Sequence, residues 1–405
     1  MRVSERMIFE SLVGHMQRQS AAVLRLEDQV SSGKKINQPS DDPIKHAQLL
    51  NYETTLASAD QYLRNIADAE AWISTSEGAL SSAQDQLIRA RELALQMING
   101  TNTPEDRANA AREVSEIFDH MVAVGNTVHD GRYVFSGYET STQPFVVNGR
   151  YTGTALAFPV TVAPGTDDLT LSVDGVSTTV TLTSGAYATG ASLATMVESV
   201  VNADPTLAAA GRSVSVTFDT DHLVITSDAT GGASAVSPTA GGALAGLGLA
   251  AGTNEPAGTY LGDSNEMSVL TGAQESVVKN LPGDRLFLGA GVSGGVDVLS
   301  AVAGLQIALQ NDDIPGMETA LTDLSTAMEQ LNSERALVGA RLNGMDATVT
   351  TFEDLKVVAA RFRSETGDVD LDRAVSDLMF QQNVLQATRT MASRLFNSSF
   401  LNFLR

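Results

Sequence analysis

Apolar residues recur every seventh position towards both ends of the chain and lose that rhythm in the middle. Tyr52, Ala59, Ile66, Ile73, Leu80, Leu87 and Ala94 form one column. Leu49, Leu56 and Leu63, and then Ala69, Ser76, Ala83, Ala90 and Met97, run beside it. A second column comprises Met317, Leu324, Leu331, Val338, Met345, Phe352 and Ala359. Leu321, Met328, Leu342 and Val349 supply most of its neighbouring column, with Arg335 and Lys356 as polar exceptions. Such stripes predict long helices packed at a shallow angle against neighbours. Neither stripe is buried by a lone helix, so the two are expected to pack on each other as one bundle. "NGTNTPED" breaks the first run, and Thr103, Pro104 and Asp106 predict a new helix with a variant capping box. That helix continues through Val114, Ile117, Phe118 and Met121 towards Gly125. The second run is expected to start at Asp313 and Pro315 and to reach Arg363, a rod of roughly 70 Å.

Between about Phe145 and Arg285 the pattern changes to Gly, Thr, Ser and Val, with acidic residues far outnumbering basic ones. "DLTLSVDGVSTTVTL" alternates apolar and polar residues on both sides of Asp174-Gly175, which predicts a hairpin. A short helix is expected over 192–203, followed by a second hairpin turning at residues 219–221. Strand–strand–helix–strand–strand is therefore the predicted module, inserted into an all-helical rod. Its acidic face repels other copies at close range and favours solubility.

Both ends carry a further stripe. Phe9, Met16, Val23 and Val30 are spaced by seven with Leu12 and Leu26 beside them. Leu371, Leu378, Leu385 and Ala392 lead to a cluster of Phe396, Phe400, Leu401, Phe403 and Leu404. "SSGKKINQPSDDPIKHA" (31–47) separates the first stripe from the rod. There Gly33 ends a helix, Pro39 disfavours helix at Gln38, and Asp42 caps a new helix whose first residue is Pro43. "SETGDVDLD" (364–372) is the matching elbow at the other end. Two such helices bury too little to form a core alone. They are expected to order on assembly with neighbouring molecules, the plainer alternative being that they extend the bundle. The expected domains are terminal helices at 1–40 and 364–405, a helical rod at 41–145 with 286–363, and a β-rich insert at 146–285. The intermolecular packing surface is assigned to Phe9, Leu12, Met16, Val23, Leu378, Leu385, Phe396 and Phe403.

Composition narrows the function. A formal net charge of −22 over 405 residues argues against nucleic acid and anionic membrane surfaces as partners. Arg2, Glu5, Arg6 and Glu10 leave no apolar run that would make a signal peptide. "AGGALAGLGLAAG" (240–252) is too short to span a bilayer. With no cysteine there is no disulfide frame, thiolate metal site or thiol nucleophile. His15, His46, His120, His129 and His222 lack metal-ligand spacing, and the pairs Asp41-Asp42, Asp167-Asp168 and Asp312-Asp313 fall beside turns and helix starts. Trp72, next to Ile73, reads as packing. "GAGVSGG" places Gly289, Gly291 and Gly294 in G-x-G-x-x-G spacing, but a heptad helix follows where a dinucleotide fold needs a second strand. Nothing assembles a nucleophile, a base and an oxyanion donor, so neither an enzyme nor a cofactor is predicted.

Ser31, Ser32, Gly33, Ile36, Asn37, Asp41 and Asp42 resemble the flagellin N-terminal signature, with Val30 where flagellins usually carry leucine. "LMFQQNVLQATRTMASRLFNSSFLNFL" resembles the C-terminal signature of the same superfamily. "MRVSERM", "GRYVFSGYETSTQPF" (131–145) and "DVDLDRAVSDL" (368–378) are similar to one branch of it, the hook–filament junction family. "GTYLGD" and "NLPGDRLF" follow the style of that family, and the inserted module resembles its hook-associated repeat. The resemblance implies a mainly α, flagellin-like fold: a helical-bundle rod built from the N- and C-terminal halves, with an inserted β-rich domain. It also implies an axial protein of the flagellum, exported unfolded through the type III channel without a cleaved signal peptide. Implied partners are copies of itself in a ring, the hook-side junction protein (hook-associated protein 1), flagellin and an export chaperone. A filament subunit, a nucleotide-binding enzyme on the glycine turn and a cytoplasmic coiled-coil scaffold are the alternatives.

Overall fold

The computed structural model describes the backbone of residues 5–403, and the side chains of Met7 and of residues 10–393. The fold is mainly α-helical with a β-rich middle region. Its helices are α1 (Glu5–Ser32), α2 (Pro43–Met97), α3 (Pro104–Gly125), α4 (Gly190–Asn202) and α5 (Pro205–Ala209). They continue with α6 (Ala243–Gly246), α7 (Gly283–Phe287), α8 (Val298–Gln310), α9 (Ile314–Gly367) and α10 (Leu371–Phe403). Two compact units result, Met1–Arg64 with Ala347–Arg405, and Asn65–Asp346. The division falls inside α2 and α9, away from the elbows at 31–47 and 364–372 and from the expected domain bounds near residues 40 and 364. α9 also runs on to Gly367, a few residues beyond the Arg363 expected from its apolar spacing.

In the Asn65–Asp346 unit the two heptad columns are core. Ile66, Leu80, Leu87, Ala94, Met317, Leu324, Leu331 and Val338 are all fully buried. Polar bridges set α2 against α9: Gln84 Nε2 donates to Asn332 Oδ1 at 2.8 Å, and Arg335 Nη2 lies 2.6 Å from Glu77 Oε1. α3 and α8 pack together alongside them. Thr103 caps α3, its hydroxyl accepting from the Asp106 amide at 3.2 Å while the Thr103 amide donates to the Asp106 carboxylate at 2.9 Å. The Thr103 hydroxyl also donates to the Asp106 carboxylate at 2.7 Å, and that bond, followed by the one from the Thr103 amide, holds the Asp106 carboxyl below its ordinary pKa of 3.8. A depressed carboxyl pKa stabilises the fold above that ordinary value, and the stabilisation is lost as the pH falls through the folded-state pKa. Thr103→Ala is expected to cost about 1 kcal/mol, read as a lower urea midpoint at unchanged m-value.

The strands are β1 (Val128–His129), β2 (Arg132–Tyr133), β3 (Arg150–Thr152), β4 (Val160–Val162), β5 (Asp168–Val173), β6 (Val176–Thr181) and β7 (Gly185–Tyr187). They are followed by β8 (Val214–Asp219), β9 (His222–Ser227), β10 (Val236–Ala240), β11 (Thr253–Glu255), β12 (Ser268–Leu270) and β13 (Ser276–Val278). Asp174 and Gly175, with φ of +49° and +81°, form the two-residue turn of the β5–β6 hairpin. The β8–β9 hairpin turns at Thr220 and Asp221. These hairpins lie in different sheets, ordered β10-β5-β6 and β11-β3-β9-β8. Each hairpin recruits strands from elsewhere in the chain, so the predicted strand–strand–helix–strand–strand run does not form one sheet.

Leu169, Leu171, Leu193, Val197, Leu223, Ile225 and Val236 fill a separate core between these sheets and α4. α4 also closes an exposed edge. Glu198 and Asn202, one turn apart, accept from the β8 amides of Val216 and Val214 at 2.9 and 2.8 Å. Bonding groups that could template another strand are thereby occupied.

Where the chain returns to the helices, Phe135, Phe145, Phe287 and Tyr260 form an aromatic cluster, with ring centroids 5.1–5.8 Å apart. Burial, reinforced by nearby Asp284, raises the Tyr260 phenol pKa and keeps it protonated. "GAGVSGG" is a loop between α7 and α8, tied down by the Val296 amide donating to Gln330 Oε1 at 3.0 Å. A helix precedes it and a helix follows, so it is not the strand–turn–helix of a dinucleotide site.

Candidate assembly surface

The two elbows pair with each other. Gly33, at φ +69°, ends α1 in the left-handed conformation expected there. Beyond it the Lys35 amide donates to the Gly367 carbonyl at 2.6 Å, and the Val369 amide donates to the Gly33 carbonyl at 3.0 Å. Lys34 and Asp368 thus face each other in a short antiparallel bridge. Gly367 also packs closely on α2, where a Cβ would lie 2.8 Å from Leu49 Cδ2. Asp41 holds the first elbow in shape by accepting from the Asn37 and Gln38 amides, both at 3.1 Å. Asp42 caps α2 by accepting from the Lys45 amide at 3.1 Å. That bond leads the effects that depress the Asp42 carboxyl pKa.

From this bridge α1 and α10 pack on each other. Thr388 Oγ1 lies 3.3 Å from Gln19 Oε1, and Gln382 Nε2 lies 3.2 Å from Glu27 Oε1. Val23 and Leu385 are buried, and Leu12, Met16 and Leu378 are half-buried. The side chains of Phe9, Phe396 and Phe403 lie outside the described residues. Within the same unit, Tyr62 and Phe352 bring α2 and α9 together with ring centroids 5.3 Å apart, and Tyr52 stacks on Phe362 at 6.0 Å. Lys356 pairs with Asp60 at 2.5 Å.

The apolar balance of this unit differs from that of the rest. Among its described residues the buried hydrophobics are Val23, Ile36, Ala59, Ala359, Ala374, Leu385 and Ala392, four of them alanine. The same unit holds twelve of the nineteen large hydrophobics that are exposed among the described residues. Ile44 is 75% exposed, Val357 71% and Phe380 64%. Leu24, Met379 and Met391 lie one residue away from columns assigned from spacing, and they too are exposed. Heptad counting selects most of the residues that join α1 to α10, with Leu371 an exposed exception, and passes over these neighbours. Their signal in the sequence is an apolar residue adjacent to, but outside, the seam.

A segment from this first unit into the next has known counterparts. Residues 3–140 match the bacterial flagellin N-terminal helical region, so the chain carries a flagellin-type N-terminal segment. Over 146 residues it is 32% identical to flagellar hook-associated protein 3 of Salmonella typhimurium, a match covering 36% of this chain. The chain spans about half the length of that relative, 46%. A flagellin of Clostridium tyrobutyricum is 24% identical over 385 residues, covering 89% of both chains. A solved flagellar hook-associated protein from Vibrio parahaemolyticus aligns with a TM-score of 0.49 at 16% identity, covering 81% of this chain and 100% of that one. Among the described residues no helix is long and apolar enough to cross a membrane.

Proposed function

We propose that this chain is a non-enzymatic structural protein of the bacterial flagellar axis that joins hook to filament. The observation that carries this is the Met1–Arg64 with Ala347–Arg405 unit, which turns large apolar side chains to solvent. A surface of that kind fits a subunit whose burial is completed by neighbours. Leu12, Met16 and Leu378 line the margin of the α1–α10 seam. With Phe9, Phe396 and Phe403 they are proposed to pack against adjoining subunits, while Val23 and Leu385 keep the seam itself closed. The proposed neighbours are copies of this chain, hook-associated protein 1 and flagellin, with an export chaperone engaged before assembly at an extracellular location. Similarity to hook-associated protein 3 supports the junction role.

The match to a flagellin over 89% of both chains favours a second reading, that of a filament subunit. Deleting the gene separates the two. Loss of a junction protein is expected to leave hooks without filaments and to release filament monomers into the medium. Loss of a sole filament subunit leaves hooks with no monomer to release. Normal filaments after deletion would overturn both readings.

A further inference from the structure

Three Asn–Gly pairs occur along the chain, at Asn99-Gly100, Asn148-Gly149 and Asn343-Gly344. Such a pair is reactive in principle because glycine has no side chain to shield its amide nitrogen from the preceding carboxamide carbon. The fold treats the three differently. Asn343 and Gly344 lie inside α9, where helical hydrogen bonding holds the backbone. Asn148 Nδ2 donates to the Ser227 carbonyl and the Gly149 amide donates to Ser234 Oγ, both at 2.9 Å. Asn99 and Gly100 are exposed in the turn after α2, and the Gly100 amide has no acceptor among the described residues.

At Asn99 the carbon to be attacked is activated as well. Its Oδ1 accepts from both the amide and the hydroxyl of Thr101, each at 3.2 Å. Two donors on one carbonyl oxygen stabilise the negative charge that grows there when a nucleophile adds to the carbon, as in an oxyanion hole. The Asn99 main-chain carbonyl is held in turn by the Asn102 amide at 3.1 Å, Asn102 Nδ2 at 3.3 Å and Arg107 Nη2 at 3.3 Å. Both carbonyls of this residue are therefore fixed, while the neighbouring Gly100 nitrogen is left free. We infer that the folded turn promotes conversion of Asn99, through a cyclic imide, to isoaspartate.

The Gly100 nitrogen, having given up its proton to solvent, bonds to Asn99 Cγ. The Cγ–Nδ2 bond breaks, and Nδ2 takes up a proton and leaves as ammonia. Water then adds to the imide and breaks one of its two C–N bonds. Attack at the former main-chain carbonyl, whose oxygen carries Asn102 and Arg107, gives isoaspartate and sets a new carboxylate against the Arg107 guanidinium. Nothing is oxidised or reduced, and water is the sole co-reactant. The chain between α2 and α3 gains a methylene and the turn gains a negative charge. No neighbouring subunit takes part, so the reaction is independent of the assembly proposed above.

Incubation of the folded full-length chain at physiological temperature in mildly alkaline buffer tests this, read by peptide mass spectrometry with fragmentation that distinguishes isoaspartate from aspartate. Modification at Asn99 is expected to run at least about tenfold faster than at Asn148 and Asn343, whose reaction waits on local opening. In concentrated urea the three sites are expected to react at similar rates. Thr101→Val is expected to slow the folded chain's reaction about fivefold, the worth of one hydroxyl hydrogen bond, and to leave the unfolded rate alone. Gly100→Ala, whose added Cβ meets nothing within 4 Å, is expected to keep the fold and to lose most of the modification. Equal rates at the three sites in the folded chain, or an Asn99 that stays unmodified, overturns the inference. So does a Thr101→Val or Gly100→Ala chain that reacts like the parent.

Discussion

Replacing Arg107 with alanine is expected to lower the stability of the Asn65–Asp346 unit by roughly 2–3 kcal/mol, the cost of backbone carbonyls losing their donor. Arg107 is 4% exposed, on the first turn of α3. Its Nε donates to the Met97 carbonyl at 3.0 Å and one Nη to the Asn99 carbonyl at 3.3 Å, at the end of α2. The other Nη pairs with Asp312, which sits at φ +56° in the turn between α8 and α9. One guanidinium therefore fastens the ends of three helices to a fourth, and alanine leaves those carbonyls without their donor. Lysine is not expected to rescue, because a single ammonium cannot reproduce the forked geometry. Asp312 is 45% exposed on its side chain. Asp312→Asn keeps a side-chain oxygen to accept from the guanidinium and is expected to cost less, about 1 kcal/mol. Urea unfolding followed at Trp72 measures both, and equal costs for the two variants would refute the ranking.

That clamp marks where sequence reasoning stops. Arg107 and Asp312 are 205 residues apart, and the local pattern around Asp312 reads only as a helix start. By contrast, the columns from Ile66 to Ala94 and from Met317 to Met345 are legible because a heptad repeat is a local consequence of helix packing. The same repeat does not report the partner. Tyr52 and Phe352 continue the two columns but are half-buried, since fewer neighbours surround α2 and α9 in the terminal unit. Turn chemistry was equally local, as at Asp174-Gly175 and Gly33. Sheet membership was not, because the short β3 pairs with β9 and β11, far along the chain. The assembly surface was half legible. Spacing selects the terminal helices, but only the structure separates the seam residues Val23 and Leu385 from the exposed Leu24, Met379 and Phe380.

The last expected result concerns how the β-rich region is fastened to the helices within its own unit. The loop at residues 228–235 reaches α3 and α8 through a glycine pair. The Gly231 amide donates to Asp119 Oδ1 at 2.8 Å and the Gly232 amide to Gln306 Oε1 at 3.1 Å. Gln306 is buried, and Ser234 in the same loop binds both the entering and leaving segments, at the Gly149 and Ala257 amides. A Cβ on Gly232 would lie 2.7 Å from the Ala303 Cα, a backbone atom that cannot turn aside. Gly232→Val must therefore lift the loop off α8 and strand a buried glutamine, at an expected cost of roughly 3 kcal/mol. The core around Leu169, Leu223 and Ile225 has no part in that contact, so the hairpins are expected to survive. Hydrogen exchange distinguishes the outcomes. Amides of Gly231 and Gly232 should lose protection while those of β8 and β9 keep theirs, and protection of all four would show that the loop is not what fastens the sheets to the helices.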